Sequence, residues 1–272
     1  MLDGFFASAV VQNALLIGGA AAALSGVIGV FTVLRGQSFA GHALADISSS
    51  GGALAVLLGI SPMAGFFGLG LLGSLGLGQR RRADSDLAAG IMLGAGLGCT
   101  ALLLHFAVSQ RGVAGAAVTI MFGSLFAAPP GAGGWALGGA LAGLLFIACL
   151  YRPLLLASLS EELAALRGAK VRLLGFLFLV MLALSVTLSA MSVGAILSTA
   201  LLIGPAATAL RLTRRPAAAM ALAAVLGMVC AWGGVALAYA SYSWTPGRVW
   251  PVSFFITACV LLTYAAAAWR RG

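Results

Sequence analysis

The sequence predicts an all-α, polytopic membrane protein. Hydrophobic residues make up 62% of its 272 residues and charged residues only 8%, whereas a soluble domain carries about 25% charged residues. The apolar residues are grouped in long runs, and one helical crossing needs roughly 20 such residues. These runs lack the alternation of polar and apolar positions that marks a transmembrane barrel. We therefore expect about eight to nine transmembrane helices, forming a single domain over residues 1–272.

Charged residues, prolines and glycines divide the chain into nine long apolar spans. The predicted spans are 9–34, 37–60, 62–78, 86–109, 134–151, 172–190, 192–210, 217–240 and 251–269. A further apolar run, 113–128, is short and is followed by Pro-Pro and several glycines. This run is interpreted as a partial or re-entrant helix, because a full crossing requires a longer segment. If it does cross, the count changes by one.

The basic residues predict the orientation of the chain. With the N-terminus outside, 13 of the 15 basic residues fall on the cytoplasmic side, where Lys and Arg are enriched in membrane proteins. They are Arg35, Arg80, Arg81, Arg82, Arg152, Arg167, Lys170, Arg172, Arg211, Arg214, Arg215, Arg270 and Arg271. Only Arg111 and Arg248 fall outside. We therefore expect a cytoplasmic C-terminus. Because these residues lie at the ends of spans and form no patch, the net charge of +9 does not indicate a nucleic-acid partner.

Several chemical functions lack their sequence signals. The four cysteines are widely spaced in apolar segments without a CxxC pair, so they are interpreted as small buried residues. Neither the HExxH motif of a metalloprotease nor the GxSxG motif of a serine hydrolase occurs. The sequence also lacks a nucleotide-binding P-loop. Energy for any transport must therefore come from an ion gradient or from another chain.

The second span contains ionisable residues. Ser38, His42, Asp46 and Ser49 follow a helical stripe, so the imidazole of His42 and the carboxylate of Asp46 share one face. Ionisable groups within a membrane normally face the bundle interior or a water-filled path. The pair can bind a divalent metal ion, relay protons, or form a structural hydrogen bond between helices. The spacing alone leaves these three interpretations open.

The longest cytoplasmic connection, 151–172, contains the sequence SEELAALRG. Its serine is a typical N-cap residue, Glu161 and Glu162 suit the first turn, and Gly168 suits the stop. A short amphipathic helix is predicted here. It is either an ordinary helix at the membrane surface or a docking helix for a cytoplasmic partner.

Five stretches together resemble the permeases of metal-ion ABC transporters, the zinc, manganese and iron family. They are RGQSFAGHALADISSSGGALAVLLGI (35–60), IMFGSLFA (120–127), SLSEELAALRG (158–168), MSVGAILSTALLIGPAATALRLTRR (191–215) and SYSWTPGRVWPVS (241–253). The order and spacing agree over nearly the whole chain. One departure concerns the second helix, where the family usually has Asp-Ala-Leu-Ser-His and this chain has His42-Ala43-Leu44-Ala45-Asp46. The acid and the imidazole have exchanged places, which shifts each ligand by about 6 Å along the helix.

A second departure from the family pattern lies just after this pair in the same helix. The family's usual Leu-Pro-Gly is here Ser49-Ser50-Gly51, so any break in this helix would depend on Gly51-Gly52 and the serines.

The resemblance implies the permease subunit of an ATP-driven importer in the bacterial inner membrane. The transported ion is expected to be zinc, while manganese and iron remain open alternatives. The implied partners are an ABC ATPase that binds ATP, a metal-binding solute-binding protein, a second copy of the chain, and membrane lipid. His42 and Asp46 would contact the metal. The segment 158–168 would be the coupling helix, with Glu161, Glu162, Ala164 and Gly168 near the ATPase. No resident cofactor and no covalent chemistry are expected.

A proton-coupled secondary transporter that uses the same pair is the main alternative from another class.

Overall fold

The fold is a bundle of α-helices, as the composition predicts. The computed structural model describes residues 5–78, 82–113, 115–123, 125–128, 131–244 and 250–270. Its helices are α1 (Ala9–Leu34), α2 (Ser38–Leu58), α3 (Pro62–Gly78), α4 (Arg82–Arg111), α5 (Gly115–Phe122), α6 (Ala132–Leu159), α7 (Glu161–Leu166), α8 (Val171–Val193), α9 (Ala195–Leu212), α10 (Pro216–Trp244) and α11 (Val252–Trp269). A 3₁₀ turn follows α5 at Leu125–Ala127.

Each of the nine predicted spans corresponds to one helix of the bundle. Within the described ranges, seven helices are long and apolar enough to cross a membrane: α1, α4, α6, α8, α9, α10 and α11. The other two are α2, whose polar stripe lowers its hydropathy, and α3, which has only 17 residues. The expected count of eight to nine crossings and the orientation of the termini therefore stay predictions. Arg80, Arg81, Arg248 and Arg271, used for the orientation, lie outside the described residues.

The short run after α4 does not form a helix long enough to cross. α5 has eight residues, a length of about 12 Å at 1.5 Å per residue, whereas the hydrocarbon core is about 30 Å thick. The end of α5 packs against the start of α9, since a Cβ on Gly123 would lie 2.6 Å from the backbone nitrogen of Gly194. Two of the stretches that resemble the permease family thus meet in space. Ser124 of the stretch 120–127 and residues 245–249 of the stretch 241–253 lie outside the described part of the chain.

Small residues on α1 bring the central helices together. A Cβ on Gly26 would lie 2.6 Å from the backbone of Ala223 on α10, and a Cβ on Gly29 would overlap the carbonyl of Leu202 on α9. Immediately before Gly26, the Ser25 hydroxyl lies 2.9 and 2.6 Å from the hydroxyls of Ser185 and Ser189 on α8. Close backbone contact and hydroxyl pairs of this kind stabilise helix packing where the surrounding lipid is as apolar as the side chains.

The second helix is continuous, without the break that its glycines could have provided. α2 runs unbroken from Ser38 to Leu58, and Gly51 and Gly52 serve as packing sites instead. A Cβ on Gly51 would overlap the carbonyl of Gly65 on α3, and one on Gly52 would overlap the ring of Phe66. The glycine pair therefore allows α3 to approach α2 closely.

The expectation that all four cysteines are buried is wrong for two of them. Cys230 is buried and Cys259 is half-buried, but Cys99 and Cys149 are exposed. These two lie on α4 and α6, helices at the edge of the bundle in whose most apolar stretches only 22% and 28% of the residues are buried. An apolar sequence context cannot separate lipid-facing positions from core positions, because both favour apolar residues.

We predict opposite effects for two neighbouring glycine substitutions on α4. A Cβ on Gly96 would lie 2.8–3.0 Å from Asp46 and Ile47 on α2, whereas a Cβ on Gly98 would meet nothing within 4 Å. Gly96→Ala should lower the free energy of unfolding by about 1–3 kcal/mol through overpacking. Gly98→Ala should leave it unchanged or raise it by up to about 1 kcal/mol, because alanine favours the helix. Thermal unfolding of both variants in detergent tests this, and equal melting temperatures would contradict the close α2–α4 contact.

Candidate metal site

The candidate site lies on the N-terminal half of α2. This helix packs against α3, α4, α8 and α9. Small residues on its buried faces permit this close packing. The two ionisable residues, His42 and Asp46, lie on one face of the helix. Asp46 is turned into the bundle with a side chain that is 2% exposed, whereas the side chain of His42 is 36% exposed. The stripe thus reaches from the interior of the bundle to its surface.

The helical spacing brings His42 and Asp46 together as predicted. Nε2 of His42 lies 3.8 Å from Oδ2 of Asp46, which is too long for a hydrogen bond. The distance is compatible with one ion between them. Two ligand atoms about 2.1 Å from the same ion are separated by about 3.4 Å at a tetrahedral angle and by more at wider angles. Small side-chain rotations would therefore allow both groups to contact one cation.

Asp46 keeps one carboxylate oxygen available for such a ligand. Among the described residues, Oδ2 of Asp46 is buried and accepts no hydrogen bond. A buried polar atom without a partner is costly, and such atoms are often found where an ion or water binds. Asp46 thus offers a metal ion an oxygen ligand that no hydrogen bond within the described structure already occupies.

The imidazole of His42 is oriented by a residue on another helix. Its Nδ1 lies 3.3 Å from Oγ1 of Thr199 on α9. When Nδ1 donates a proton to this hydroxyl, Nε2 carries the lone pair and faces Asp46. Metal-binding histidines commonly use their second nitrogen in this way, and the bond fixes the tautomer that can bind the metal.

Two serines of the polar stretch have a structural role. The hydroxyls of Ser49 and Ser50 donate to the backbone carbonyl of Asp46, at 2.8 and 3.1 Å. Both also lie within hydrogen-bond distance of Oγ1 of Thr100 on α4, at 2.9 and 3.0 Å. Because its hydroxyl is engaged in this cluster, Ser49 is not counted among the candidate metal ligands. This cluster attaches α4 to α2 at the level of Asp46 and fixes the backbone from which the carboxylate projects.

The described residues of one chain do not by themselves complete a metal coordination shell. In the described ranges, no three His, Cys, Asp or Glu residues lie close enough to hold an ion. The second histidine, His105, is exposed and stacks edge-on with Phe106 at 5.7 Å. The helical spacing points to His42 and Asp46, but Thr199 and Thr100 carry no sequence signal. They lie 157 and at least 50 residues from their partners.

The segment expected to couple to an ATPase forms the helix α7. Ser160 caps it by accepting from the backbone N–H of Leu163 at 3.3 Å, and Glu161 and Glu162 occupy the first turn. Gly168 ends the helix with a φ of 78°, a conformation that favours glycine. Ala164 is fully buried against neighbouring residues of α6 and α8.

The opposite face of α7 is apolar and open. Leu163 is 55% exposed and Leu166 is 83% exposed. The helix is therefore anchored to the bundle through Ala164 and presents two leucines outward.

Comparison with known proteins identifies the family. The model of the ABC 3 transport family matches residues 7–266. The chain belongs to this family. It is 31% identical to the manganese import system permease protein ScaB of Streptococcus parasanguinis over 97% of this chain and 90% of that protein. It is 28% identical to the high-affinity zinc uptake system membrane protein ZnuB of Haemophilus influenzae over 82% of this chain and 86% of that protein.

A solved structure extends this agreement to the fold. The ABC 3 chain superposes on a chain of PsaBC from Streptococcus pneumoniae in complex with Fab with a TM-score of 0.83. The identity is 27%, covering 98% of this chain and 93% of that one. The resemblance inferred from the sequence motifs is thereby confirmed. The protein is a multi-pass bacterial membrane protein and a metal-transport permease component of an ABC system, not an enzyme.

We predict that Thr199 contributes to metal use without contacting the ion. Thr199→Val removes the hydroxyl that orients His42, so the metal concentration for half-maximal uptake should rise about 10- to 100-fold, the range found for partners of metal ligands. Thr119→Val is the matched control, because Thr119 is exposed and bonds only to the carbonyl of Gly115 in its own helix. Uptake measured over a metal concentration series tests this. Equal half-saturation in both variants would contradict the orienting role.

Proposed function

We propose that the chain is the membrane permease of an ATP-driven importer of divalent transition-metal ions. The observation that carries this proposal is the His42–Asp46 pair, with a buried, unpartnered carboxylate oxygen 3.8 Å from an imidazole nitrogen. Imidazole and carboxylate together suit zinc and are also ligands for manganese and iron. The sequence favours zinc, whereas the similarity to a manganese permease is at least as high as that to a zinc permease. Zinc and manganese are therefore the two ions to compare.

The permease is proposed to work as a homodimer with the metal path on the two-fold axis. One chain offers one imidazole and one carboxylate, whereas zinc usually takes four ligands. Two symmetric copies would supply two of each, and a two-fold interface places the same residues opposite one another. The partial exposure of His42 on the surface of the single chain supports this arrangement. The proposed site binds the ion only in passage, since conduction requires release as well as entry.

Energy is proposed to come from a separate ATPase that docks on α7. The two outward leucines of this segment, which is expected on the cytoplasmic side, support the assignment, because an exposed apolar patch at a protein surface commonly marks an interface. Glu161 and Glu162 would lie at the rim of that contact, and Gly168 would fix where the helix ends. A metal-binding solute-binding protein is proposed to deliver the ion from the opposite side of the membrane.

The transport proposal predicts which residues the ion needs. The permease, its ATPase and the binding protein are reconstituted in proteoliposomes, and uptake of radioactive Zn²⁺ and Mn²⁺ is measured with and without ATP. His42→Ala and Asp46→Asn should each reduce uptake by at least about tenfold. The first removes the imidazole, and the second replaces the carboxylate with a neutral amide that binds divalent metal ions more weakly. His105→Ala, which alters the exposed histidine, should retain uptake.

Three results would contradict the proposal in different ways. Uptake that needs no ATP and is abolished by a proton uncoupler would indicate a proton-coupled transporter. Normal uptake by the two ligand variants would assign His42 and Asp46 a structural role. Transport of neither Zn²⁺ nor Mn²⁺ by the wild type would contradict the assignment of these two ions as the cargo.

The docking proposal predicts a specific loss of ATPase binding. Leu166→Ser should weaken capture of the ATPase by roughly 10- to 100-fold, since burial of one leucine contributes about 1.5–3 kcal/mol. Leu145→Ser is the control, because Leu145 is 66% exposed on the side of α6. Co-purification of the ATPase with each permease variant measures the effect. Undiminished capture by Leu166→Ser would contradict α7 as the docking helix.

A further inference from the structure

A buried arginine lies where α1 turns into α2. Arg35 is only 9% exposed, although arginine is among the residues least often buried in proteins. It occupies the C-terminal end of α1, three residues before α2 begins. Ionisable residues held inside a membrane protein are costly, and they commonly have a function beyond packing.

The side chain of Arg35 connects three helices. Its Nε donates to Oγ of Ser158 at 2.9 Å, in the last turn of α6. Its guanidinium carbon lies 4.8 Å from the ring centroid of Phe178 on α8, a cation–π distance. Ser158 is held in turn by donating to the carbonyl of Leu154 at 2.6 Å. The arginine thus joins the C-terminal ends of α1 and α6 to the first third of α8.

One end of this connection is next to the proposed docking helix. Ser158 lies three residues before Glu161, the first residue of α7, and Ser160 serves both as the end of α6 and as the N-cap of α7. Ala164 packs into the same small cluster as Ala157 and Leu174. A displacement of α7 would therefore move the end of α6 and, with it, the hydroxyl of Ser158.

The other end leads to the metal pair through a fixed turn. Gly36 has a φ of 67°, its N–H donates to the carbonyl of Val33 at 3.1 Å, and the N–H of Gln37 donates to the carbonyl of Thr32 at 2.9 Å. These two bonds form a Schellman turn, which holds the backbone tightly. His42 follows one helical turn after the start of α2, a distance of about 6 Å. Movement of Arg35 would therefore be carried into α2 and to His42.

We propose that Arg35 is a positioning residue that couples α7 to the His42–Asp46 pair, so that motion of the ATPase changes the access of the metal. This inference rests on the proposed transport function. It separates transport from ATP hydrolysis: without the Arg35–Ser158 contact, the ATPase still hydrolyses ATP, but its motion no longer reaches α2.

The decisive quantity is the number of metal ions transported per ATP hydrolysed, measured in the same proteoliposomes. Arg35→Gln should reduce this ratio by at least about tenfold, as should Ser158→Ala, because a hydrogen bond to a charged group is lost in each case. The double variant should be no worse than Arg35→Gln alone, since both changes remove one interaction. Arg35→Lys should restore part of the ratio by keeping the charge.

Arg152→Gln is the matched control, because it removes an exposed positive charge from the same part of α6. Its ratio should equal that of the wild type. If Arg35 has only a structural role, Arg35→Gln will lower uptake and ATP hydrolysis in the same proportion, or lower neither. In both cases the number of ions transported per ATP is unchanged, and this result overturns the inference. If Arg35→Gln does not assemble, Ser158→Ala decides alone, since it removes only a hydroxyl.

Measurements on the wild type distinguish a failure of the role of Arg35 from a failure of the proposed transport function. A wild type with ATP-dependent uptake and variants with an unchanged ratio would overturn the role of Arg35 and leave the transport function standing. A wild type that hydrolyses ATP without moving metal would overturn the transport function and the inference that rests on it.

Discussion

The carboxylate of Asp46 lies inside a bundle of apolar helices, and the packing of α2 is arranged around it. Desolvating a carboxylate is costly unless it is paired or binds a cation. Gly96 lets the backbone of α4 approach the backbone of α2 closely at Asp46. The hydroxyls of Ser49 and Ser50 donate to the carbonyl of Asp46 and lie within hydrogen-bond distance of Thr100 on α4. These contacts fix the backbone while one carboxylate oxygen stays without a hydrogen bond. A cation shared with His42 would satisfy that oxygen.

The sequence predicted those features that depend on local periodicity. Composition gave the helical class, the 3.6-residue repeat placed His42 and Asp46 on one face, and the Ser160 and Gly168 signals marked both ends of α7. Long-range features were not accessible in this way. Thr199 reaches His42 from 157 residues away, and no local pattern distinguishes it from other threonines in apolar spans. The Gly51–Gly52 pair fits either a helix break or a packing site, and only the position of α3 decides between them.

The exchanged order of the His42–Asp46 pair has a structural consequence. The imidazole stands one turn nearer to the start of α2 and is partly exposed, whereas the carboxylate lies deeper and is almost fully buried. In the proposed site the carboxylate would thus be shielded from water, and the imidazole would be the group that a second copy or an arriving ion meets first. A buried anion strengthens its attraction for a cation through the low local dielectric. This order therefore places the stronger attraction further inside the bundle.

The most direct measurement of the central claim is the anomalous diffraction of crystals grown with Mn²⁺ and recorded at its absorption edge. We expect a peak within about 2–2.3 Å of both Nε2 of His42 and Oδ2 of Asp46, with the same pair from the second copy completing the coordination. Repeating the measurement with Zn²⁺ at its own edge would show whether the same position takes both ions. The contradicting result is a set of peaks only at other positions, with Nε2 of His42 still 3.8 Å from Oδ2 of Asp46 and no ion between them. This pair would then not lie on the path of the metal.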